Sequence, residues 1–525
     1  MQNALEMGKK SATGSFQLFM GVAASTVIMA IGTIILARLM TPEEYGLYSI
    51  SLIPSYMAIL FRDWGINSAI TKYTASLRAE NKENETRKII LVGLTFEITT
   101  GLILSLILIS LSIFIASTIF QRPESSQLIA IASTTILAGS IIITAQSSFI
   151  GFERMELNSL TNICQAIAKT IMSPILVFIG YSTLGATLGY TVSFATSAVI
   201  SLTMLYFAIV KKLKKGNPQK RDELQTLKGM LRYGIPLSIA SIISGFLVQF
   251  YAFLMAIYCD NAMIGNYQVA TQFATLLTFF TIPISTVLFP VFSKINPQKE
   301  SELLQTVFTS SVKYSAFILI PATTAVMVLS KPMISTLFGE KWTHAPLFLT
   351  IYVISNLFAI FGSLSLGSFL AGIGETKIQM KISLITLTFG MPLALLLIPT
   401  AGIIGLIITS ITAGIPGLFL GLYWIWKRYK IKAEIKSSIK IITASLIAAV
   451  FTFLATNFIK YATDWIELTV GGLTFIITYL VTAPLIGAIN RTDAQNLKAM
   501  FSELGIISKL LNIPLKTMEK LSSAA

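Results

Sequence analysis

The stretch IILVGLTFEITTGLILSLILISLSIF, residues 89–114, holds 26 residues and a single charge, Glu97. As a helix it would rise roughly 39 Å at about 1.5 Å per residue, enough to cross a hydrocarbon core about 30 Å thick. It reads as a transmembrane helix, and the rest of the chain repeats the reading. Apolar residues make up 54% of the 525 and Asp, Glu, Lys and Arg only 12%, about half of what a soluble domain carries. Runs of about 20 mostly apolar residues give fourteen candidate spans: 16–37, 45–66, 89–114, 127–150, 157–180, 184–210, 235–258, 264–292, 307–330, 345–370, 378–398, 403–426, 439–459 and 466–489. The first follows Lys9 and Lys10 and is too long, with no small-residue cleavage site, for a removable signal peptide. The expected fold class is an all-α integral membrane protein.

Loop charge sets the expected orientation. With the N-terminus cytoplasmic, about 31 of the 39 Lys and Arg fall on inside loops and tails and about 5 on outside loops, the positive-inside pattern. Both termini are then expected in the cytoplasm of a cell-membrane protein. The net charge of +15 is in this light a topology signal and an attraction to anionic headgroups, and it excludes a nucleic-acid partner. Disordered and collagen-like classes are excluded by composition.

An internal repeat divides the chain. Gly46-Leu47-Tyr48 recurs as Gly265-Asn266-Tyr267 at an offset of 219, and 179–191 aligns with 399–411 at 220, Gly185 on Gly405. Two matches at nearly one offset suggest a duplicated six-span unit, and an even number of spans makes the repeats parallel. The expected organisation is a six-helix lobe at 1–210, a basic cytoplasmic linker at 211–233, a second six-helix lobe at 234–426, an extra helix pair at 427–489 and an amphipathic cytoplasmic tail at 490–525. In that tail Met500, Phe501, Leu504, Ile507, Leu510 and Leu511 recur at the spacing of an interfacial helix, or of a helix packed on the inside loops.

Chemistry-bearing motifs are few. There is no phosphate-binding loop, no HExxH, CxxC or GxSxG, one histidine (His344), and two cysteines, Cys164 and Cys259, without metal spacing. No catalytic residue, metal or cofactor is expected. What remains are ionisable residues in the spans, costly in hydrocarbon and therefore candidates for function. Asp63, Glu97, Lys169 and Lys313 stand out, with Arg62 beside Asp63. Arg62 could instead snorkel to headgroups and Asp63 cap a helix break at Gly65, while Glu97 and Lys313 could serve structural ion pairs. Lys169 falls near the midplane of the fifth span, sharing a helix face with Asn162, Gln165 and Ser173. That stripe must face protein or a wet cavity. A second stripe, Gln268, Gln272 and Thr275, could contact substrate or make interhelical hydrogen bonds. Arg38 and Asp260 stand at the outer ends of the first and seventh spans.

Ala37-Arg38-Leu39-Met40-Thr41-Pro42-Glu43-Glu44-Tyr45-Gly46-Leu47-Tyr48 resembles the first outside turn of the oligosaccharide flippases of the polysaccharide transporter family. Asp63-Trp64-Gly65-Ile66 with Lys72-Tyr73, Gly151-Phe152-Glu153-Arg154, Leu337-Phe338-Gly339-Glu340 and Ala371 to Lys377 resemble its later motifs, in order and on the matching loops. The resemblance implies the multidrug/oligosaccharidyl-lipid/polysaccharide exporter fold, two six-helix lobes in a V. It also implies a polyprenyl-linked glycan as cargo, no ATPase activity, and a cavity lined with cations, here Arg38, Arg62, Lys169 and Lys313. Asp63 and Glu97 are the candidates for ion coupling. The expected function is a flippase moving a lipid-linked oligosaccharide across the membrane, with membrane lipids and glycan-assembly proteins as its surroundings. A drug or cation antiporter of the same fold, a membrane-embedded glycan polymerase or ligase, and an assembly scaffold are the rivals.

Overall fold

The computed structural model describes residues 2–214, 220–277, 288, 292–297, 299–432, 435–459, 463–501 and 516–519. Among these there is no strand. The helices are α1 (Gln2–Leu39), α2 (Pro42–Leu60), α3 (Ile66–Ala79), α4 (Glu83–Phe114), α5 (Ser126–Gly151), α6 (Met155–Leu176), α7 (Ser182–Ala208), α8 (Lys220–Tyr258) and α9 (Asn261–Leu276). After them come α10 (Ser301–Phe338), α11 (Ala345–Tyr352), α12 (Ser363–Gly372), α13 (Thr376–Thr412), α14 (Ile415–Tyr429), α15 (Ile435–Phe458), α16 (Asp464–Leu485) and α17 (Arg491–Phe501). Eight helical stretches among the described residues are long and apolar enough to cross a membrane, ten if two bent pairs are each counted as one span. This is a multi-pass membrane protein.

Two of those stretches, Met155–Lys212 and Thr376–Tyr429, run to 58 and 54 residues, longer than one crossing needs. Each turns at a glycine with positive φ, Gly180 at 108° and Gly402 at 57°. Gly185 and Gly405, just beyond these turns, both lie against the backbone of the helix before them, at Leu176 and Leu397. The second expected span, α2, is absent from the membrane-crossing set because two glutamates, three tyrosines and three serines make it too polar. The eighth expected span runs into residues outside those described, as do Leu504, Ile507, Leu510 and Leu511 of the tail.

The chain forms two compact units, Met1–Gly265 and Asn266–Ala525. In the first, α4 and α5, α1 and α6, and α6 and α7 pack along their lengths, and α8 packs on α2, α3 and α4. The sequence reading begins the second lobe at 234, whereas the first compact unit continues through α8. One reason is local: a β-carbon at Gly65 or at Gly234 would overlap the other residue's backbone, so only glycines let the α2–α3 break meet α8 at this distance. In the second unit, α10, α15 and α16 share a core of Phe317, Ile320, Ile441, Ala444, Ala448, Phe475 and Tyr479, where the alanines allow close helix approach.

Candidate functional site

The motif around Thr41 is a helix start. Thr41 N donates to Glu44 Oε2 (2.8 Å) and Glu44 N donates to Thr41 Oγ1 (3.2 Å), a reciprocal capping box with Pro42 in the first turn. Four residues later the helix passes a close crossing. A β-carbon at Gly46 would overlap the Asn261 carbonyl, and one at Gly265 would overlap the Pro42 carbonyl and come within 3.2 Å of Gly46 N. The two glycines matched in the sequence therefore meet at one crossing of α2 and α9.

At its other end α2 stops in the turn Phe61 to Gly65, where Trp64 and Gly65 have φ of 48° and 78°. Asp63 Oδ1 accepts from Asn67 N (2.9 Å), capping α3. Asn67 Nδ2 then donates to both Asp63 Oδ1 (2.9 Å) and Glu97 Oε1 (3.0 Å). Arg62 Nε lies 3.3 Å from Glu97 Oε2, with both side chains buried, at 2% and 0% exposure. The pair is close but not aligned as a hydrogen bond. Arg62 has space for its guanidinium because Gly139 on α5 has no side chain; a β-carbon there would sit 3.2 Å from Arg62 Nη1 and 3.7 Å from Phe194. Arg62 is thus held in a buried cluster with Asp63, Asn67 and Glu97.

Phe194 begins an aromatic line toward Lys169. Its ring centroid is 4.9 Å from that of Tyr190, whose hydroxyl is 3.1 Å from the Tyr56 hydroxyl, and Tyr48 meets Tyr190 edge-on at 6.5 Å. Lys169 Nζ stands 5.2 Å from the Tyr190 ring centroid, in cation–π range. Ile167, Ile171 and Ile175 on α6 are exposed, and at about 100° per residue Lys169 points away from them into the bundle. Among the described residues no carboxylate pairs with Lys169. On the same helix face as Lys169 lies Asn162: Gln146 Nε2 donates to Asn162 Oδ1 (2.8 Å) and Asn162 Nδ2 donates to Asn158 Oδ1 (3.2 Å). Asn162 therefore ties α5 to α6, Gln165 is half-buried beside it, and Ser173 Oγ donates to Ala186 O (3.3 Å).

The remaining predicted residues lie elsewhere. Lys313 Nζ pairs with Asp493 Oδ2 at 2.5 Å, and Tyr314 donates to Asp493 Oδ1 at 3.4 Å; this lysine fastens α17 to α10. Arg38 and Gln272 are exposed and Gln268 is half-buried. Asp260 caps α9, its Oδ1 accepting from Met263 N at 2.8 Å.

Sequence reasoning missed Arg122. From the connection after α4 it donates to Asn261 Oδ1 (2.6 Å), Ala256 O (2.5 Å), Cys259 O (2.5 Å) and Phe120 O (2.8 Å). The first three tie the end of α8 and the start of α9 to the first bundle. An arginine on a loop expected outside, in a chain with positive-inside bias, was the available signal. Burial, the largest influence, lowers its pKa, yet an arginine starts high enough to stay charged at neutral pH.

Residues 35–346 match the family model described as polysaccharide biosynthesis protein, more than half of the chain. The chain belongs to the polysaccharide biosynthesis protein family. Relatives include the lipopolysaccharide biosynthesis protein WzxC of Escherichia coli, 25% identical over 447 residues, covering 84% of this chain and 85% of that protein. An uncharacterized membrane protein of Methanocaldococcus jannaschii is 24% identical over 459 residues, covering 83% and 88%. Among solved structures, lipid II flippase MurJ in an inward closed conformation matches with a TM-score of 0.70 at 17% identity, over 89% of this chain and 98% of that one. An inward-facing multidrug resistance MATE family transporter of the MOP superfamily matches at 0.62 and 16% identity, over 78% and 94%. This family member has the all-α fold of those transporters.

Proposed function

We propose that this protein is a flippase, not an enzyme, that moves a polyprenyl-linked oligosaccharide from the cytoplasmic to the outer leaflet of the cell membrane by alternating access, for glycan export. The observation that carries the reading is Lys169, a cation turned into the bundle of the first unit against an aromatic wall, with no acid beside it among the described residues. A structural lysine at membrane depth would have a carboxylate partner, as Lys313 has. A lysine without one suits an anionic visitor such as a lipid diphosphate, and Tyr56 and Tyr190 offer hydroxyls and ring faces to sugars. Moving such a head group through hydrocarbon would cost several kcal/mol for each unsatisfied polar group, so the protein's task is to replace water along the route. Names of relatives support the cargo class: besides WzxC, a Haloferax volcanii relative over part of the chain is named a probable low-salt glycan biosynthesis flippase. In this reading both termini and the basic segment 211–233 face the cytoplasm, and residues 1–210 and 234–426 act as the two lobes.

Reconstituted protein given a fluorescent polyprenyl-diphosphate glycan tests the reading. Lys169→Gln is expected to fold and insert normally but lose translocation, and Lys169→Arg to keep part of it, since charge survives in a different geometry. Unchanged translocation in Lys169→Gln would remove the residue from the route. A second reading, a drug or cation antiporter, is favoured by the acids Asp63 and Glu97; transport of organic cations in place of the glycolipid would establish it.

A further inference from the structure

The loop between α12 and α13 turns at Gly374, φ 80°, and puts Glu375 at the start of α13, where its side chain makes no capping bond. The carboxylate reaches across to the end of α14 instead. Glu375 Oε1 accepts from the Tyr429 hydroxyl (2.9 Å) and lies 3.5 Å from Arg428 Nη2. The rings of Trp424 and Tyr429 stand beside the same guanidinium, their centroids 5.4 and 5.9 Å from its central carbon. An acid and two rings thus aim Arg428, yet its side chain is 61% exposed, so most of its five N–H donors stay open.

Arg428 and Tyr429 line a recess of about 800 Å³ whose other wall is the segment 293–297. Phe292 and Ile295 are buried in a core with Leu304, Phe308 and Phe369, which leaves Ser293, Lys294 and Asn296 exposed. Among the described residues Lys294 has no hydrogen-bond or ion-pair partner. Glu300 does not line the recess; its Oε2 accepts from Asn296 N (2.8 Å). The lining cations are therefore Lys294 and Arg428, and Glu375 beside the arginine leaves a balance of one positive charge. The stretches that meet here, 292–302, 371–381 and 424–432, carry eight Lys and Arg against three Glu.

The outer face of α14 shows at what depth the recess opens. Phe419, Tyr423 and Trp426 are exposed at helical spacing, and Lys427 Nζ and Lys430 Nζ stand 5.9 Å from the Tyr423 and Trp426 ring centroids. Apolar, then amphipathic, then cationic side chains in that order mark a span entering the headgroup layer. Arg428 and Tyr429 fall between the two lysines, at the same level. A phosphodiester carries one negative charge, as the recess requires, and is joined to acyl chains that can lie along Phe419 and Tyr423. A diphosphate carries more charge than the lining balances.

We propose that this recess binds the headgroup of an anionic phospholipid, its phosphodiester held by Arg428 and Lys294, with Glu375 positioning the arginine. In the orientation proposed above the lipid comes from the inner leaflet, but the binding depends neither on that orientation nor on the cargo.

Native mass spectrometry of the full-length protein tests the site, with phosphatidylglycerol, phosphatidylcholine, a polyprenyl diphosphate and inorganic phosphate as probes. The wild-type protein is expected to hold its first phosphatidylglycerol about tenfold more tightly than phosphatidylcholine, and Lys294→Gln/Arg428→Gln to lose that preference. Lys211→Gln/Lys212→Gln removes the same charge from the basic segment of the first compact unit and should keep it. No preference in wild type, its survival in Lys294→Gln/Arg428→Gln, or an equal loss in both double variants overturns the proposal. So does displacement of the lipid by millimolar phosphate, which would make the recess a free-anion site. A polyprenyl diphosphate that binds more tightly than phosphatidylglycerol, and loses that advantage in Lys294→Gln/Arg428→Gln, would give the recess to the cargo and overturn it too. Should that double variant fail to fold, Lys294→Gln alone, at an exposed position with no partner to strand, should weaken binding about threefold, and unchanged binding overturns the proposal. No transport is measured, so a protein that moves no glycolipid would sink the flippase reading and leave this result standing.

Discussion

Replacing Arg122 by alanine should loosen the α8–α9 turn without unfolding the bundle it rests on. The guanidinium makes three bonds to that turn, to Ala256 O, Cys259 O and Asn261 Oδ1. Hydrogen bonds to a charged group contribute about 1.5–3 kcal/mol each, but Arg122 is only half-buried, and water can take over part of what it leaves. A net loss of about 2–4 kcal/mol follows, or about 30- to 700-fold in the local opening equilibrium at about 1.4 kcal/mol per tenfold. Amide exchange read by mass spectrometry over 255–265 should accelerate by that factor, while α5 at 128–145 stays as it was. Cys259 gives an independent readout. Its thiol is pushed up to about 11, chiefly by burial and further by Asp260, with Arg122 acting in the opposite direction. Removing the arginine would raise the thiol further and slow alkylation at pH 8 if the turn stayed shut. Faster alkylation in Arg122→Ala can therefore come only from opening. An exchange change below about threefold, under about 0.7 kcal/mol, with alkylation slowed, would refute the clamp.

Two further outcomes follow from packing. Gly46→Leu and Gly265→Leu should impair glycolipid translocation to a similar degree, since either side chain would drive α2 and α9 apart at the same crossing; wild-type rates in both would deny the glycines a packing role. Lys313→Met should lower the thermal stability of the detergent-purified protein by about 3–5 kcal/mol, because it strands a buried Asp493. The double variant Lys313→Met/Asp493→Asn should recover most of that, and additive losses would refute the pairing.

The residues that the sequence placed well are those whose role is local. Helical periodicity put Lys169 on an inward stripe with Asn162 and Ser173, and a glycine after an acid marked the break that Asp63 caps. The pairing of Arg62 with Glu97 was not legible, because it depends on how α2 lies against α4 and on the space left by Gly139. Lys313 fits the same rule: the sequence shows a lysine inside a span, but its partner comes from a helix beyond five further expected spans. Membership of α8 in the first unit was hidden for a related reason. It rests on a meeting of Gly65 with Gly234, two small residues that carry no hydrophobic or charge pattern.

The Lys313–Asp493 pair also has a history in time. The two residues are 180 positions apart in the chain, and at about 5–20 residues per second a ribosome needs roughly 10 to 40 s to travel from one to the other. For that interval every nascent copy carries in the membrane an ammonium group whose partner has not been made, with an insertion cost of about 2.5–3.5 kcal/mol if it lies at mid-depth. A product whose synthesis halts before residue 493 never leaves this state. Its incompleteness is displayed as an orphan charge in α10, where membrane chaperones and proteases can act on it, while a finished copy conceals that charge the moment α17 docks.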